Sequence, residues 1–270
     1  MMNLANRLQG QVALITGGGG EIGTAIALRL AAEGSAVVIG DLDQAKAEVT
    51  AKKVIAAGGQ ATGAQIDVSD PASCEAIVAF AMTSFGKLTT LVNVAAAIIP
   101  DGTVETLSLE QWNKALSVNL TGAFLMCKYG VPHMRAAGGG SIINIASQLG
   151  HMGVQHRAPY CTTKAALIFF TKILAQDHAP DNIRANSISP GFILTERSSM
   201  RVGGKDQARV INGPRHLLNR PGEPEEIAAG AAYLASADAS FVTGTDLLID
   251  GGYVTFKGRM TAEGKTVMSS

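Results

Sequence analysis

The feature that most constrains the fold of this chain is a repeated alternation between short apolar runs and longer amphipathic runs. The short runs are rich in β-branched residues and indicate strands at 12–16, 36–40, 61–67, 91–93, 141–145, 184–189 and 246–249. The longer, alanine-rich runs indicate helices near 21–33, 43–57, 71–85, 109–136, 159–179 and 223–236. Strands joined through helices pair in parallel and are buried on both faces. The sequence therefore predicts an α/β fold with one doubly wound parallel sheet of about seven strands, flanked by helices.

Composition favours one domain over 1–270 and argues against several other classes of protein. Of the 270 residues, 47% are hydrophobic and 16% are charged, and no linker or repeat divides the chain. The 22 basic and 22 acidic side chains balance, so nothing indicates a nucleic-acid partner. Three cysteines without metal-ligand spacing fit reduced thiols and no metal site. Because no apolar run reaches about 18 residues and the N-terminus lacks an apolar core, we expect a cytoplasmic protein without a membrane span.

A glycine-rich loop follows the first predicted strand. The segment TGGGGEIG at 16–23 ends that strand and opens the first helix, which is the context of a dinucleotide-binding loop. Glycines let the backbone approach a diphosphate, and the helix N-terminus supplies amide donors. One frame runs through Gly18, Gly20 and Gly23; in the other, which we favour, Glu21 points outward from the first helical turn. The loop makes the predicted sheet Rossmann-like, and the expected cofactor contacts in it are Gly17, Glu21, Ile22 and Gly23.

Asp41 ends the second predicted strand, where a carboxylate would hydrogen-bond the adenosine ribose. Its charge favours a free 2′-hydroxyl and repels a 2′-phosphate, because two like charges at about 4 Å cost about 4 kcal/mol at an intermediate dielectric. No Lys or Arg lies between Gly17 and Gly23 to compensate. The alternative is that Asp41 caps the next helix, although Asp43 could do so equally well. NAD is therefore the expected cofactor, in preference to NADP.

Tyr160 and Lys164 lie four residues apart in a helix that is predicted to begin just after Pro159. At that spacing the two side chains share one face of the helix. A free tyrosine titrates near about 10, and one cation at about 4 Å supplies about 4 kcal/mol, enough to lower its pKa by about 2–3. An isolated pair of this kind is more often an ordinary surface pair. The rest of the chain decides between the two interpretations.

Five matches in a fixed order make the chain resemble the short-chain dehydrogenase/reductase family. They are TGGGGEIG at 16–23, NVAA at 93–96, Asn119 within SVNLTG, PGFILT at 190–195, and Ser147 thirteen residues before Tyr160. The resemblance covers about residues 8–253. The chain also departs from the family pattern: Glu21 replaces the middle glycine of the loop, and NVAA replaces the usual NNAG.

The resemblance implies hydride transfer and assigns four catalytic residues. Tyr160 would exchange a proton with the substrate hydroxyl, as base or as acid according to direction. Lys164 would lower the pKa of Tyr160 and bind the nicotinamide ribose. Ser147 would hydrogen-bond the substrate oxygen, and Asn119 would anchor a water between the lysine and solvent.

The resemblance also extends the cofactor site beyond the glycine loop. Asp67 and Val68 would border the adenine, and Asn93 would steady the next cofactor-lining strand. The PGFILT segment would contact the nicotinamide carboxamide, although a plain Pro-Gly turn is the alternative. The expected cofactor residues outside the loop are Asp41, Leu42, Asp67, Val68, Asn93, Ala95, Tyr160, Lys164, Pro190, Gly191, Ile193 and Thr195.

Substrate selection is expected in loop 148–158 and in a segment at about 196–216, which we call the lid. The histidines of the chain's catalytic half are not needed as bases, because Tyr160 has that role. We expect His151 and His156 to line the substrate pocket instead. The expected substrate contacts are Ser147, Gln148, His151, His156, Tyr160 and Arg197.

The lid carries basic residues at four-residue spacing, namely Arg197, Arg201, Lys205 and Arg209. A stripe of this kind is usually a solvated helix face. The alternative is that one or two of the arginines bind an anionic or highly polar substrate through bidentate contacts. The Gly203–Gly204 pair would interrupt the helix and give the lid mobility.

These expectations favour an NAD-dependent dehydrogenase that oxidises a secondary alcohol, a polyol or a sugar-like alcohol reversibly. The alternatives are a carbonyl or 3-oxoacyl reductase, against which Asp41 argues, and a regulator on an inactive enzyme scaffold. The only expected small-molecule partner besides the cofactor is an alcohol or ketone substrate. The resemblance further suggests a homotetramer built on the long helices near 109–136 and 159–179, with a polar C-terminal tail at about 254–270.

Overall fold

The protein is described by a computed structural model, which covers residues 6–97, 99–255, 259–260 and 266–267. Its main sheet has seven parallel strands in the order β3-β2-β1-β4-β5-β6-β7, which confirms the predicted doubly wound α/β fold. The strands are β1 Val12–Thr16, β2 Ala36–Asp41, β3 Gln60–Gln65, β4 Thr90–Asn93, β5 Gly140–Ile145, β6 Ile183–Pro190 and β7 Asp246–Ile249.

Helices cover both faces of this sheet. They are α1 Glu21–Ala32, α2 Gln44–Ala56, α3 Pro71–Phe85, α4 Leu109–Leu116, α5 Gly122–Ala136, α6 Ala158–His178, α7 Glu196–Ser199, α8 Lys205–Asn212 and α9 Pro224–Ala235. The single helix predicted near 109–136 is divided by a π-helical turn, Ser117–Thr121, which contains Asn119. Such turns widen a helix by one residue and are frequent at functional sites.

Two apolar cores lie on opposite faces of the sheet. On one face, α1, α2 and α9 pack through fully buried side chains such as Ile26 and Ile227. On the other face, α3, α5 and α6 pack through side chains such as Ile77, Met126 and Leu174. Because both faces are covered, the central strands are almost wholly buried, as their apolar sequences require.

The strand order reverses between β1 and β4. Thr16 at the end of β1 is aligned with Gly40 in β2 and with Asn93 in β4. The loops that follow these strands therefore diverge and leave a crevice at the carboxyl edge of the sheet. This is the position at which open α/β sheets bind their ligands.

Two glycines divide the lid into two short helices. Gly203 and Gly204 have φ values of 90° and 108°, so they occupy a region that side chains other than glycine rarely adopt. They separate the turn that follows α7 from the start of α8. The predicted interruption of the lid helix is therefore present in the structure.

Most of the predicted tail at 254–270 lies outside the described residues. In the described part of it, strands β8 Arg259–Met260 and β9 Thr266–Val267 form an antiparallel pair, which the sequence did not predict. Among the helices of the described residues, none has the length and hydropathy needed to cross a membrane. The assignment of 1–270 to one domain stays a prediction.

Candidate active site

The glycine loop between β1 and α1 has the shape that a diphosphate requires. Gly17 has a φ of 65°, and a Cβ at this position would lie 2.9 Å from the backbone of Ala95. A Cβ on Gly23 would collide with the carbonyl oxygen of Gly17. The N-cap residue Gly20 supplies no side chain, so no side-chain group caps the first turn of α1. The amides of that turn are thus available to an anion, and the loop fits a dinucleotide cofactor.

Glu21 points outward from the first turn of α1, and its carboxylate reaches the lid. Its Oε2 accepts a hydrogen bond from the backbone N–H of Glu196 at 2.7 Å, and its Oε1 lies 3.5 Å from Lys205 Nζ. The outward orientation agrees with the favoured interpretation of the loop. The partners, which are 175 residues away or more, could not have been read from local sequence. A cofactor contact by Glu21 stays a prediction.

Asp41 faces the glycine loop from the end of β2. Its Oδ2 accepts from the N–H of Gly19 at 3.0 Å, and its Oδ1 accepts from the N–H of Asp43 at 3.1 Å. Asp43, and not Asp41, caps α2, because its side chain accepts from the N–H groups of Ala45 and Lys46. Asp41 therefore lacks the competing capping role, and each carboxylate oxygen keeps further lone pairs for a ligand. Leu42, the next predicted contact, is 63% exposed.

One residue near this position was missed by the sequence interpretation. The side chain of Lys46, on α2, lies directly against Gly19 in the glycine loop. Its ammonium group is 3.7 Å from Asp43 Oδ2 and is largely exposed. No local motif marks Lys46, because only the packing of α2 beside the loop brings the two together. It is the cation closest in sequence to Asp41 that could offset its charge.

The next two predicted contacts follow β3. Asp67 accepts from both the N–H and the hydroxyl of Ser69, at 2.9 and 2.6 Å, and these hydrogen bonds, above all the one from the hydroxyl, hold its pKa below the ordinary value. Val68 is 6% exposed. Local hydrogen bonds thus fix Asp67 and burial fixes Val68, while their contact with an adenine stays a prediction.

At the end of β4, Asn93 is held by a buried chain of amides. Its Nδ2 donates to Asn144 Oδ1 at 2.8 Å, and Asn144 Nδ2 donates to Thr171 Oγ1 at 2.9 Å. Asn93 Oδ1 is buried and has no partner among the described residues. It borders a cavity of about 10 Å³ that Ala95 and Asn119 also line. The volume is about that of one water molecule.

The PGFILT segment continues β6 into the lid. Thr195 caps α7, since its Oγ1 accepts from the N–H of Ser198 at 3.1 Å. Gly191 is bonded through its N–H to Ile249 in β7, and a Cβ on it would lie 2.8 Å from Asp250. Ile193 is buried and pairs with Gly222 in an isolated bridge. Pro190 is the last residue of β6. The segment is more than a plain turn, while its contact with a carboxamide stays a prediction.

His216 anchors this segment and was not singled out from the sequence. The ring is 2% exposed; its Nδ1 lies 2.7 Å from the carbonyl oxygen of Asn212, and its Nε2 accepts from the N–H of Phe192 at 3.2 Å. The hydrogen bond from Phe192 requires an unprotonated Nε2, so the ring is neutral with its proton on Nδ1. Burial lowers the pKa of His216, which supports this form.

Three of the four predicted catalytic residues meet where β5 ends and α6 begins. Lys164 is 2% exposed, and its Nζ donates to the carbonyl oxygen of Ile145 at 2.7 Å and lies 5.8 Å from the ring centre of Tyr160. Ser147 follows β5, and its Oγ accepts from the N–H of Leu149 at 3.1 Å. Ser147 is also close enough for its hydrogen bond with Tyr160 to affect the tyrosine pKa. The structure thus brings the predicted Ser-Tyr-Lys set together.

Burial is the main cause of the pKa shifts of Tyr160 and Lys164. Burial raises the pKa of Tyr160, while the hydrogen bond with Ser147 and the charges of Arg197 and Arg157 act in the opposite direction. Burial, with a smaller contribution from Arg197, lowers the pKa of Lys164 to about 8. In the protein by itself Tyr160 is therefore a phenol at neutral pH, which suits a general acid. That Lys164 lowers the pKa of Tyr160 stays a prediction.

Asn119 links the π-helical turn to two other parts of the site. Its Oδ1 accepts from the N–H of Ala97 at 2.8 Å, and its Nδ2 donates to Thr163 Oγ1 at 3.2 Å. Thr163 precedes Lys164 on α6, so Asn119 fixes both the loop after β4 and the helix that carries the lysine. That Asn119 anchors a water between the lysine and solvent stays a prediction.

The predicted substrate residues of loop 148–158 differ in their burial and in their hydrogen-bond partners. Gln148 is 7% exposed, and its Oε1 has no partner among the described residues. His151 Nε2 lies 2.7 Å from Asp246 Oδ2, at the start of β7. His156 is exposed and has a φ of 65°, and its carbonyl oxygen accepts from Gly102. Whether these side chains contact a substrate stays a prediction.

Partners distinguish the basic residues of the lid. Arg201 lies 4.0 Å from Asp101, Lys205 lies 3.0 Å from Glu196, and Arg209 lies 3.5 Å from Asp206. Arg197 has no carboxylate partner among the described residues, and its only side-chain hydrogen bond there is to the carbonyl oxygen of Ala96 at 3.3 Å. Its charge nevertheless acts on the pKa values of Tyr160 and Lys164. Arg197 is exposed, and among the lid cations at this spacing its charge is the one that acts on the pKa values of both Tyr160 and Lys164.

Comparison with known proteins agrees with this arrangement. Residues 19–254 match a family model described as enoyl-(acyl carrier protein) reductase. The chain is 42% identical to the 2,5-dichloro-2,5-cyclohexadiene-1,4-diol dehydrogenase of Sphingobium indicum, over 93% of this chain and 98% of that protein. It is 36% identical to the cyclohexanol dehydrogenase of an Acinetobacter species, again over 93% and 98% of the two chains.

A solved structure from Burkholderia xenovorans, described as a short-chain dehydrogenase/reductase, superposes with a TM-score of 0.87 at 38% identity. The match covers 93% of this chain and 99% of the other. Within the described residues, no cluster of His, Cys, Asp or Glu side chains could hold a metal ion. The parallel sheet, the glycine loop and these likenesses establish that the chain belongs to the short-chain dehydrogenase/reductase family of oxidoreductases.

Proposed function

We propose that the protein is an NAD-dependent dehydrogenase that oxidises a secondary alcohol carried on a ring or a polyol, reversibly. The observation that carries the proposal is the meeting of Tyr160, Lys164 and Ser147 at the sheet edge where the glycine loop and Asp41 also lie. Two relatives named as dehydrogenases of cyclic alcohols support a ring, and one named as a D-threitol dehydrogenase supports a polyol.

Each of four polar residues, Tyr160, Ser147, Asn119 and Lys164, has a separate role in the reaction. Bound NAD would supply the hydride acceptor at its nicotinamide ring. The Tyr160 oxygen takes the hydroxyl proton of the alcohol in oxidation and returns it in reduction. Ser147 hydrogen-bonds the same substrate oxygen and so fixes its direction. Asn119 holds the helix that carries Lys164 through Thr163.

Lys164 supports the proton transfer in two ways. As a cation beside the Tyr160 ring it favours the phenolate. Its own pKa of about 8 lies close to neutrality, so it can accept and release a proton within the working range of an enzyme. Burial raises the pKa of Tyr160 and so disfavours the phenolate that oxidation requires, which the positive charges at the site must stabilise. Reduction can start from the phenol.

Asp41 supports NAD in preference to NADP. Its carboxylate is oriented by Gly19 and Asp43 and is free of any capping role, so it can accept from two ribose hydroxyls. A 2′-phosphate in the same place would meet a negative charge. This also argues against the alternative of a carbonyl or 3-oxoacyl reductase, which would draw on NADPH. The assembled catalytic residues argue against an inactive regulator.

Arg197 favours a substrate with an anionic or strongly polar group. The other lid cations at this spacing have carboxylate partners, whereas Arg197, whose charge acts on the pKa of Tyr160, has none among the described residues. A guanidinium group binds a carboxylate or sulfonate through two parallel hydrogen bonds. The proposed substrate is thus an alcohol whose charged group lies on the lid side of the reacting carbon.

We further propose a cytoplasmic homotetramer with α5 and α6 at a subunit interface. An apolar groove of about 470 Å³ runs between the two helices, lined by Leu120, Thr121, Phe124, Ala166, Phe169, Phe170 and Ile173. Phe124 and Phe169 are 47% and 64% exposed, which is unusual for two neighbouring aromatic side chains of a single chain. A second copy would cover them.

The test is NADH formation from a panel of cyclic alcohols, polyols and hydroxy acids, with Tyr160→Phe as the decisive variant. Loss of the hydroxyl should lower kcat by at least about a hundredfold, the usual contribution of a general acid or base, and leave NADH binding intact. Tyr129→Phe is the matched control, because Lys128 Nζ also lies 5.8 Å from that ring centre. Most of the kcat surviving in Tyr160→Phe would refute the mechanism, and no turnover by the unaltered protein on any alcohol would favour the regulator.

A further inference from the structure

The acidic residue of the glycine loop is bonded to the lid at two points. Glu21 Oε2 accepts from the N–H of Glu196, the first residue of α7, at 2.7 Å. Its Oε1 lies 3.5 Å from the ammonium of Lys205, the first residue of α8. One carboxylate therefore touches the beginnings of both lid helices.

A second ion pair closes this arrangement into a triangle. Lys205 Nζ is also 3.0 Å from Glu196 Oε1, and the hydrogen bond with Glu196 raises the pKa of Lys205 above its ordinary value. Gly203 and Gly204, with positive φ values, lie just before Lys205. The triangle thus spans the one point of the lid where the backbone is least constrained.

Charge explains why this carboxylate turns away from its own helix. A negative group in the first turn of α1 is favoured by the helix dipole, but it would compete with a diphosphate bound to the same amides. By pairing with Lys205, Glu21 leaves those amides free and has its charge compensated. The family pattern has a glycine here, which can make neither contact.

On these contacts we propose that Glu21 is a positioning residue, a clasp that holds the lid against the cofactor loop and slows the release of the cofactor. The clasp consists of Glu21, Glu196 and Lys205. It joins the two walls of the crevice, the glycine loop on one side and α7 and α8 on the other. A dinucleotide held between these walls leaves only when the clasp opens. The cofactor part of this inference rests on the proposed function.

The first measurement is hydrogen exchange of the backbone amides of residues 196–212 in the cofactor-free protein. Glu21→Ala should raise their exchange rate by about tenfold, the effect of losing one exposed hydrogen bond to a charged group. Lys205→Met, which keeps the bond from the N–H of Glu196, should raise it by only about two- to threefold. Glu225→Gln is the matched control, because it removes a carboxylate from the first turn of α9 that has no lid partner among the described residues.

The second measurement is the dissociation rate of NADH, followed by its fluorescence after rapid displacement. Glu21→Ala should increase this rate by about tenfold and leave the association rate nearly unchanged, because the clasp acts on the closed state. Unchanged lid exchange in Glu21→Ala would overturn the clasp. Faster lid exchange with unchanged NADH release would overturn its role in retaining the cofactor. Failure of the unaltered protein to bind NADH would count against the proposed function, while the exchange experiment would still decide the clasp.

Discussion

The selection of NAD by Asp41 can be tested with a change that removes only its charge. Asp41→Asn keeps an oxygen that can accept from the N–H of Gly19, which the aspartate does at 3.0 Å. It also keeps the volume of the side chain, so the loop should be unaltered. Any shift in cofactor preference then reports the carboxylate charge and not the shape of the pocket.

The magnitude follows from the charges that face the ribose position. A carboxylate and a phosphate charge at about 4 Å repel by about 4 kcal/mol at an intermediate dielectric. Lys46 lies beside Gly19 and opposes this repulsion, but its side chain is 65% exposed, so screening limits its contribution to about 1 kcal/mol. The difference, about 3 kcal/mol, corresponds to a preference for NAD of about a hundredfold in kcat/KM.

The assay compares kcat/KM for NAD and NADP with one saturating alcohol. In the unaltered protein the ratio should be about a hundred, and in Asp41→Asn it should fall to within about tenfold of unity. Asp43→Asn is the control, since asparagine is an equally good N-cap and the substitution removes a neighbouring carboxylate. Equal use of both cofactors by the unaltered protein, or an equal shift in both variants, would refute the role of Asp41.

Two further predictions concern the lid and its anchor. Arg197→Met should lower kcat/KM by about a hundredfold for alcohols that carry a carboxylate and by little for neutral alcohols, because it leaves the bound anion unpaired. The control is Arg201→Met, which loses only the contact with Asp101 and should change kcat/KM for neither class of alcohol. An equal loss of kcat/KM on neutral alcohols in Arg197→Met would contradict an anion site. For His216, burial lowers the pKa of the folded state below the ordinary value of 6.5. The neutral ring therefore stabilises the fold above about pH 6.5, and this stabilisation is lost as the pH falls through the lower folded-state pKa. Urea unfolding between pH 7 and 5 should therefore show a smaller decline in the free energy of unfolding for His216→Phe than for the unaltered protein, and an identical decline would show that folding does not shift the pKa of this ring.

The sequence by itself determined the features that arise from short-range regularities. The alternation of apolar runs predicted the strands and helices of the parallel sheet, because burial on both faces demands apolar strands. The four-residue spacing of Tyr160 and Lys164 placed them on one helix face. The glycines at 16–23 predicted a loop whose backbone a diphosphate can approach closely. Each of these follows from residues near one another in the chain.

The tertiary structure decided every question in which two candidates were locally equivalent. Asp41 and Asp43 are both suitable caps, and only the approach of Gly19 to the end of β2 separates their roles. Glu21 could have faced the diphosphate or solvent, and its actual partners, Glu196 and Lys205, reach it only because the lid that follows β6 contacts the loop after β1 in the folded protein.

The lid is the clearest case of this limit. Its basic residues look alike in the sequence, since a four-residue spacing fixes only which helix face they share. Carboxylates from distant segments engage Arg201 and Lys205, while Arg197 has no carboxylate partner in the part of the chain that the structure describes and its charge acts on the pKa of Tyr160. The spacing of residues along a helix determines on which side of that helix a side chain lies. The partner of the side chain depends on which loops the strand order places opposite that side.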